Sequence, residues 1–207
     1  QATEDFPPSA LRCHVFRTAG NLAFEQSEYF LARQFYVRAL EVARALGDKL
    51  VIGTVVRGLG AVSHNMGDFT TALTCYEESL QLCRESGDDL GVSTSLSNLG
   101  LAAAQNGDPV LARQYLEQGL ALRRRLDDPI GVAYVLHILA DVAWMQGRAA
   151  EALELNEEAL TIRRRLEDRW GIAYSVDSLG IIARSRGDTA EGRRLFKESI
   201  AIFGELG

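Results

Sequence analysis

Residues 95–128 read SLSNLGLAAAQNGDPVLARQYLEQGLALRRRLDD, and the chain restates this stretch every forty residues. At that period Gly60, Gly100 and Gly180 share one position, with Ala140 standing in for the fourth. The pairs Gly67-Asp68, Gly107-Asp108, Gly147-Arg148 and Gly187-Asp188 share a second. Ala72, Ala112 and Ala152 share a third, and Leu80, Leu120, Leu160 and Ile200 a fourth. Gly47-Asp48, Gly87-Asp88, Asp127-Asp128 and Glu167-Asp168 close each block. A fixed period of this length is the signature of stacked supersecondary units, each burying its apolar face on the next.

The apolar spacing within each block is helical. Ala152, Leu155, Ala159, Leu160 and Ile162 recur at threes and fours, and no alternating pattern competes. Ten helices are expected, in five antiparallel pairs, with turns near 27–28, 47–48 and every twenty residues thereafter. Glycine supplies the left-handed residue that ends one helix, and aspartate caps the amides that open the next. Pro109 and Pro129 directly follow Asp108 and Asp128, at the first helical position where proline is tolerated. The expected fold class is all-α: a right-handed α-solenoid of five helix-turn-helix repeats at about 9–47, 48–87, 88–127, 128–167 and 168–207. Residues 1–8, QATEDFPP, read as a tail or linker halted by Pro7 and Pro8, with Ser9 as the first N-cap.

Nineteen glycines would weaken a helical reading, at about 1 kcal/mol each inside a helix. Their placement answers the objection. Most sit in turns or at the starts of first helices, and Gly20, Gly60, Gly100 and Gly180 recur at one mid-helix position. That recurrence is expected to mark two helix backbones in contact. Gly100→Leu should then overpack the contact, at a cost of about 1–3 kcal/mol.

Composition narrows the function classes. The net charge of −6 in 207 residues argues against nucleic acid or an anionic membrane as main partner. No apolar run approaches the ~20 residues that cross a bilayer. Cys13, Cys75 and Cys83 do not pair by number or spacing, which suits a reduced, intracellular protein. No nucleophile elbow, phosphate loop or dinucleotide fingerprint occurs, so no enzyme activity and no cofactor are expected. His14, His64 and His137 fall in different repeats without ligand spacing, so no metal site is expected. Arg123-Arg124-Arg125 and Arg163-Arg164-Arg165 end second helices, where cations complement the negative end of the dipole.

These positions resemble the tetratricopeptide repeat. Ser95-Leu96, Leu99-Gly100 and Ala103 match its first helix, and Ala112, Leu116 and Gly119-Leu120 its second. The signature tryptophan is replaced by Phe16, Val56, Leu96, Leu136 and Val176, the closing proline is absent, and the period is forty rather than thirty-four. This long variant is similar to C-terminal repeats of bacterial AfsR/SARP- and LuxR-type regulators and to Pins-type adaptors. The resemblance implies a concave face lined by the first helices and used for ligands.

Carrying the family's groove positions over by register gives His14, Thr54, Thr94, Tyr134 and Tyr174, then Arg17, Arg57, Ser97, His137 and Asp177. Further columns hold Thr18, Gly58, Asn98, Ile138 and Ser178, and Asn21, Ala61, Leu101, Asp141 and Ile181. A last column holds Phe24, His64, Ala104, Trp144 and Arg184. These columns vary between repeats while core columns do not. The candidate binding residues are Arg17, Asn21, Arg57, His64, Asn98, Tyr134, His137, Asp141, Trp144, Tyr174, Asp177 and Arg184. The implied role is a protein-interaction scaffold for a peptide or protein segment, within a larger bacterial signalling or regulatory protein. A small-molecule effector domain is the alternative. Phe203 stands where Cys83, Arg123 and Arg163 stand in earlier repeats, and suggests an end covered by a second copy or further repeats.

Overall fold

A computed structural model describes residues 7–206; the tail reading of residues 1–6 and the closing Gly207 lie outside them. The described residues form ten α-helices and no strand. They are α1 (Ala10–Glu25), α2 (Tyr29–Leu46), α3 (Lys49–Asn65), α4 (Phe69–Ser86) and α5 (Asp89–Gln105). There follow α6 (Pro109–Arg125), α7 (Pro129–Met145), α8 (Ala149–Arg165), α9 (Arg169–Ser185) and α10 (Thr189–Leu206). The architecture is an all-α repeat solenoid. None of these helices is long and apolar enough to cross a membrane.

The turns follow the chemistry of their residues. Gly47, Gly67, Gly87, Gly107, Gly147 and Gly187 all have positive φ, between 71° and 88°. Where the repeat lacks that glycine, Ser27, Asp127 and Glu167 take the left-handed conformation instead, at φ 60°, 51° and 56°. Each of these three carries a Cβ in a region that L residues enter at a cost. Asp48, Asp68, Asp88, Asp128, Asp168 and Asp188 then accept from amides three residues on, at 2.9–3.2 Å. Ser9 does the same for the Arg12 amide at 3.3 Å. Glu28 and Arg148 open α2 and α8 without a side-chain cap.

The chain divides into two compact units, residues 1–108 and 109–207, so α5 belongs to the first and α6 to the second. In the first unit α1 packs on α2 and α3 on α4, and each of these second helices packs on the next first helix. Its core gathers Phe16, Tyr36, Val42, Val55 and Val62 around Ala23, Ala32 and Ala39. In the second unit α7 packs on α8 and α9 on α10, with α6 against α7 and α8 against α9. One core cluster there holds Leu160, Ile172, Val176, Leu179, Leu195 and Ile202. Each such side chain contributes about 1.5–3 kcal/mol of transfer free energy relative to exposure, so apolar burial dominates both units.

The packing refines what the glycines and the arginine triplets do. At three of the four mid-helix glycines the close neighbour is an aromatic ring: a Cβ on Gly20, Gly60 or Gly180 would come within 3.1, 2.6 or 2.9 Å of the ring of Tyr36, Tyr76 or Phe196. At Gly180 backbone also approaches, since a Cβ on Gly192 of α10 would lie 3.1 Å from the Gly180 carbonyl oxygen. Within the arginine triplets exposure differs from residue to residue. Arg123 and Arg163 turn inward and are 8% and 6% exposed, while Arg124 and Arg164 stay in solvent. Arg123 pairs with Asp128, and Arg163 bonds to the Gly171 carbonyl and Ser175. Their position is a buried one in the first four repeats, held there also by Ala43 and Cys83. In the fifth Phe203 is only partly buried, its ring 5.5 Å from Trp170 and 5.3 Å from Tyr174.

Candidate functional site

In the first unit the candidate residues project from α1, α3 and α5. Asn21 is exposed, and its Oδ1 accepts from the Tyr36 hydroxyl at 2.6 Å. Tyr36 belongs to α2, and it reaches that face because Gly20 and Gly58 give its ring room; a Cβ on Gly58 would lie 2.6 Å from it. Arg17 is half-buried on α1 and donates to His14 Nδ1 at 3.3 Å. Arg57 is half-buried on α3, and its Nη1 is fully buried with no hydrogen-bond acceptor among the described residues. His64 is half-buried and meets the Phe69 ring edge-on at 5.5 Å. Burial pushes its imidazole below the ordinary histidine value, opposed by a hydrogen bond with Gln105. Asn98 is half-buried on α5, whereas Ser97 and Ala104 of the same columns are buried and offer no surface.

In the second unit the candidates lie on α7 and α9. Tyr134 and Tyr174 are 40% and 52% exposed. Tyr174 is engaged at its edge by Phe203, so it belongs to an aromatic group with Trp170. His137 Nε2 approaches Asp141 Oδ2 at 3.9 Å, and His137 Nδ1 lies 3.2 Å from Asn156 Oδ1. Crowding by neighbouring atoms pushes the Asp141 carboxyl above its ordinary range, while the charges of His137 and Arg163 oppose that push. Asp141 and Trp144 line a cleft of about 90 Å³ together with Asn156, Ser178 and Ile181. Asp177 is half-buried and Arg184 exposed on α9; neither lines that cleft. Arg184 instead sits 5.9 Å from the centre of the Phe196 ring. Ile138, carried over by the same register, is buried.

Asn156 and Tyr36 belong to second helices, and the groove columns carried over by register take only first-helix positions. A signal for Asn156 was present. It is a polar residue at the position held by Tyr36, Tyr76, Leu116 and Phe196, beside the one repeat with Ala140 in place of glycine.

Residues 51–125 and 131–205 match a family model described as tetratricopeptide repeat. No match is found among the curated proteins. Solved structures similar in fold include BtubC from P. vanneervenii, at 22% identity and a TM-score of 0.77, covering 90% of this chain and 78% of that one. A Rap protein complexed with competence and sporulation factor is similar at 15% identity and a TM-score of 0.86, covering 99% of this chain. The Rap conjugation gene regulator of plasmid pLS20, in complex with a Phr peptide, is similar at 16% identity and 0.82, covering 94%. The present chain spans 57% and 54% of the length of those two Rap chains.

Proposed function

Because the chain belongs to the tetratricopeptide repeat family, we propose that it is a non-catalytic interaction scaffold whose first-helix faces capture a peptide or protein segment. The observation that carries this reading is Arg57. A buried guanidinium nitrogen without an acceptor is costly, which supports a reading in which the bound segment brings a carbonyl or carboxylate to it. Arg17 and Asn21 in the first unit, and Tyr134, Asp141 and Tyr174 in the second, supply polar and aromatic anchors of the kind enriched at interaction hot spots. The two Rap chains, solved with a factor and a peptide bound, support the same direction. A cytoplasmic module of a larger bacterial signalling protein, of the AfsR/SARP or LuxR type, is the setting we assign to it. Pairing of two copies through α10 belongs to the same proposal; Ile200, 69% exposed, is its open apolar residue.

The test is selection of peptides from a displayed random library on the full chain, followed by titration of labelled synthetic peptides. Arg57→Ala should weaken the best binders by about tenfold or more, the worth of a hydrogen bond to a charged group. Unchanged affinity for every selected peptide would remove Arg57 from the site.

A second reading, a small-molecule effector domain, is favoured by one feature. A cleft of about 700 Å³ lies among α8, α9 and α10, walled by Leu160, Leu179, Ile182 and Leu195 and rimmed by Arg164, Arg186 and Glu191. That volume is within the range of ligand pockets. Thermal shift with nucleotides and sugars, but with no peptide, would favour it.

A further inference from the structure

Sixteen residues after each mid-helix position of a first helix comes the second-helix residue that faces it: Tyr36 after Gly20, Tyr76 after Gly60, Phe196 after Gly180. In those three pairs the ring fills the gap above the glycine. The pair on α7 and α8 differs, having Ala140 and Asn156. An asparagine is much smaller than a phenylalanine or tyrosine ring, and the space is left as the 90 Å³ cleft between α7, α8 and α9. At about 30 Å³ per water in the liquid, that volume takes roughly three non-hydrogen atoms.

The cleft has a defined polarity. Asn156 is 1% exposed, and its Oδ1 is engaged by His137 Nδ1 at 3.2 Å. What Asn156 has left to offer is the Nδ2 amide, a donor. Asp141 offers carboxylate acceptors, Ser178 a hydroxyl of either sense, and Trp144 and Ile181 apolar walls. We infer that this cleft is a subsite for a carboxamide side chain, glutamine or asparagine, of the segment bound on the α7–α9 face. This rests on the interaction reading above. A carboxamide brings an acceptor for Asn156 and donors for Asp141, and its three heavy atoms match the volume. A carboxylate would face Asp141. An ammonium or guanidinium would face the Asn156 donor and the charge of Arg163, which already acts on Asp141. An apolar side chain would leave the Asn156 donor buried and unpaired.

The experiment is panning of a displayed random dodecapeptide library on the full chain, then fluorescence anisotropy of an enriched peptide and its Gln→Leu and Gln→Glu variants. One position of the enriched peptides should carry glutamine or asparagine. Gln→Leu should weaken binding to the parent by about tenfold, and Gln→Glu by at least as much. Two protein variants close the cleft: Asn156→Leu, which copies Leu116, and Ala140→Gly with Asn156→Phe, which copies the Gly180 and Phe196 pair. Having precedents in this chain, they should melt as cooperatively as the parent, and they should bind the Gln and Leu peptides within about twofold of each other. Enrichment without a carboxamide preference, or a preference that survives in both variants, overturns the subsite but leaves the scaffold reading. No enrichment of any peptide overturns the scaffold reading itself.

Discussion

Arg163 on α8 lies across Gly171 on α9: its Nη1 donates to the Gly171 carbonyl at 2.9 Å and to Ser175 Oγ at 2.7 Å. Asp168, whose Oδ1 caps the same helix, holds its Oδ2 4.0 Å from Nε. Burial pulls this guanidinium below its ordinary value, and the carboxylates of Asp168 and Asp141 pull it back up. Glycine is needed at 171 because a Cβ there would lie 2.7 Å from Arg163 Cδ and Nε, and would also meet Asp168. The arginine side chain, 7% exposed, can yield only by abandoning its hydrogen bonds inside the protein. Gly171→Ala should therefore lower unfolding free energy by about 1–3 kcal/mol in urea denaturation. Adding Arg163→Met, whose flexible thioether accommodates the new methyl, should make the double variant less destabilised than the sum. Strict additivity would show that the two residues do not constrain each other.

The glycine and ring pairs make a second, independent prediction. At Gly60 a Cβ would come 2.6 Å from Tyr76 Cε1 and 3.2 Å from Cys75 Cβ. Tyr76 is 3% exposed and has nowhere to retreat. Gly60→Ala should cost about 1–3 kcal/mol despite alanine's better helix propensity, which favours it by only about 1 kcal/mol. Combined with Tyr76→Asn, the alanine should cost much less, because that pair recreates Ala140 with Asn156. Thermal melts of the three variants decide the point; equal cost of the alanine in both backgrounds would sink it.

Why some of this was legible in sequence follows from where the signal resides. Turns and caps are local: Gly67-Asp68 or Gly187-Asp188 fix φ and an N-cap without reference to anything distant. The helix boundaries and the caps at Asp88, Asp128 and Asp168 were therefore readable. The inward turn of Arg123 and Arg163 was not, since it depends on Gly131 and Gly171 eight residues on leaving space for a guanidinium. Read alone, an arginine at the end of a helix is sufficiently explained by the dipole. The glycine at 60 announced a close approach but not its partner, because a ring from the next helix and a backbone ask for the same missing side chain. Asn156 was hidden by its address on a second helix.

Between second helices runs a ladder of ion pairs spaced thirty-four residues apart. Arg44 pairs with Glu78 at 3.0 Å in the first unit; Arg124 pairs with Glu158 at 2.8 Å and Arg164 with Glu198 at 3.5 Å in the second. Their side chains are 32–58% exposed, so water screens them heavily. Double-mutant cycles on Arg44 with Glu78 and Arg124 with Glu158 should return about 0.2–1 kcal/mol each, fading in 1 M salt. A single buried leucine outweighs either. A coupling of several kcal/mol would mean that the ladder, not the apolar core, holds the hairpins in register.

His64 gives the pH dependence. Its folded-state value lies below that of the unfolded chain, about 6.5, because burial against Phe69 disfavours the imidazolium more than Gln105 favours it. The unfolded state then binds the proton more readily, so stability rises with pH across that interval. The contribution is complete above the unfolded value, falls as pH drops through it, and levels off below the folded value. Carboxylates held low by their partners, such as Glu85 beside Lys49, lose their contribution only at lower pH, below the ordinary glutamate value. Urea midpoints measured from pH 7.5 to 5.5 should therefore fall more steeply in the parent than in His64→Gln, which keeps a polar group beside Gln105 but cannot titrate. Proton NMR of the His64 ring should place its midpoint below 6.5. Parallel slopes for parent and variant, or a midpoint above 6.5, would mean that the imidazole is open to water and that the face around it is less enclosed than its packing against Phe69 indicates.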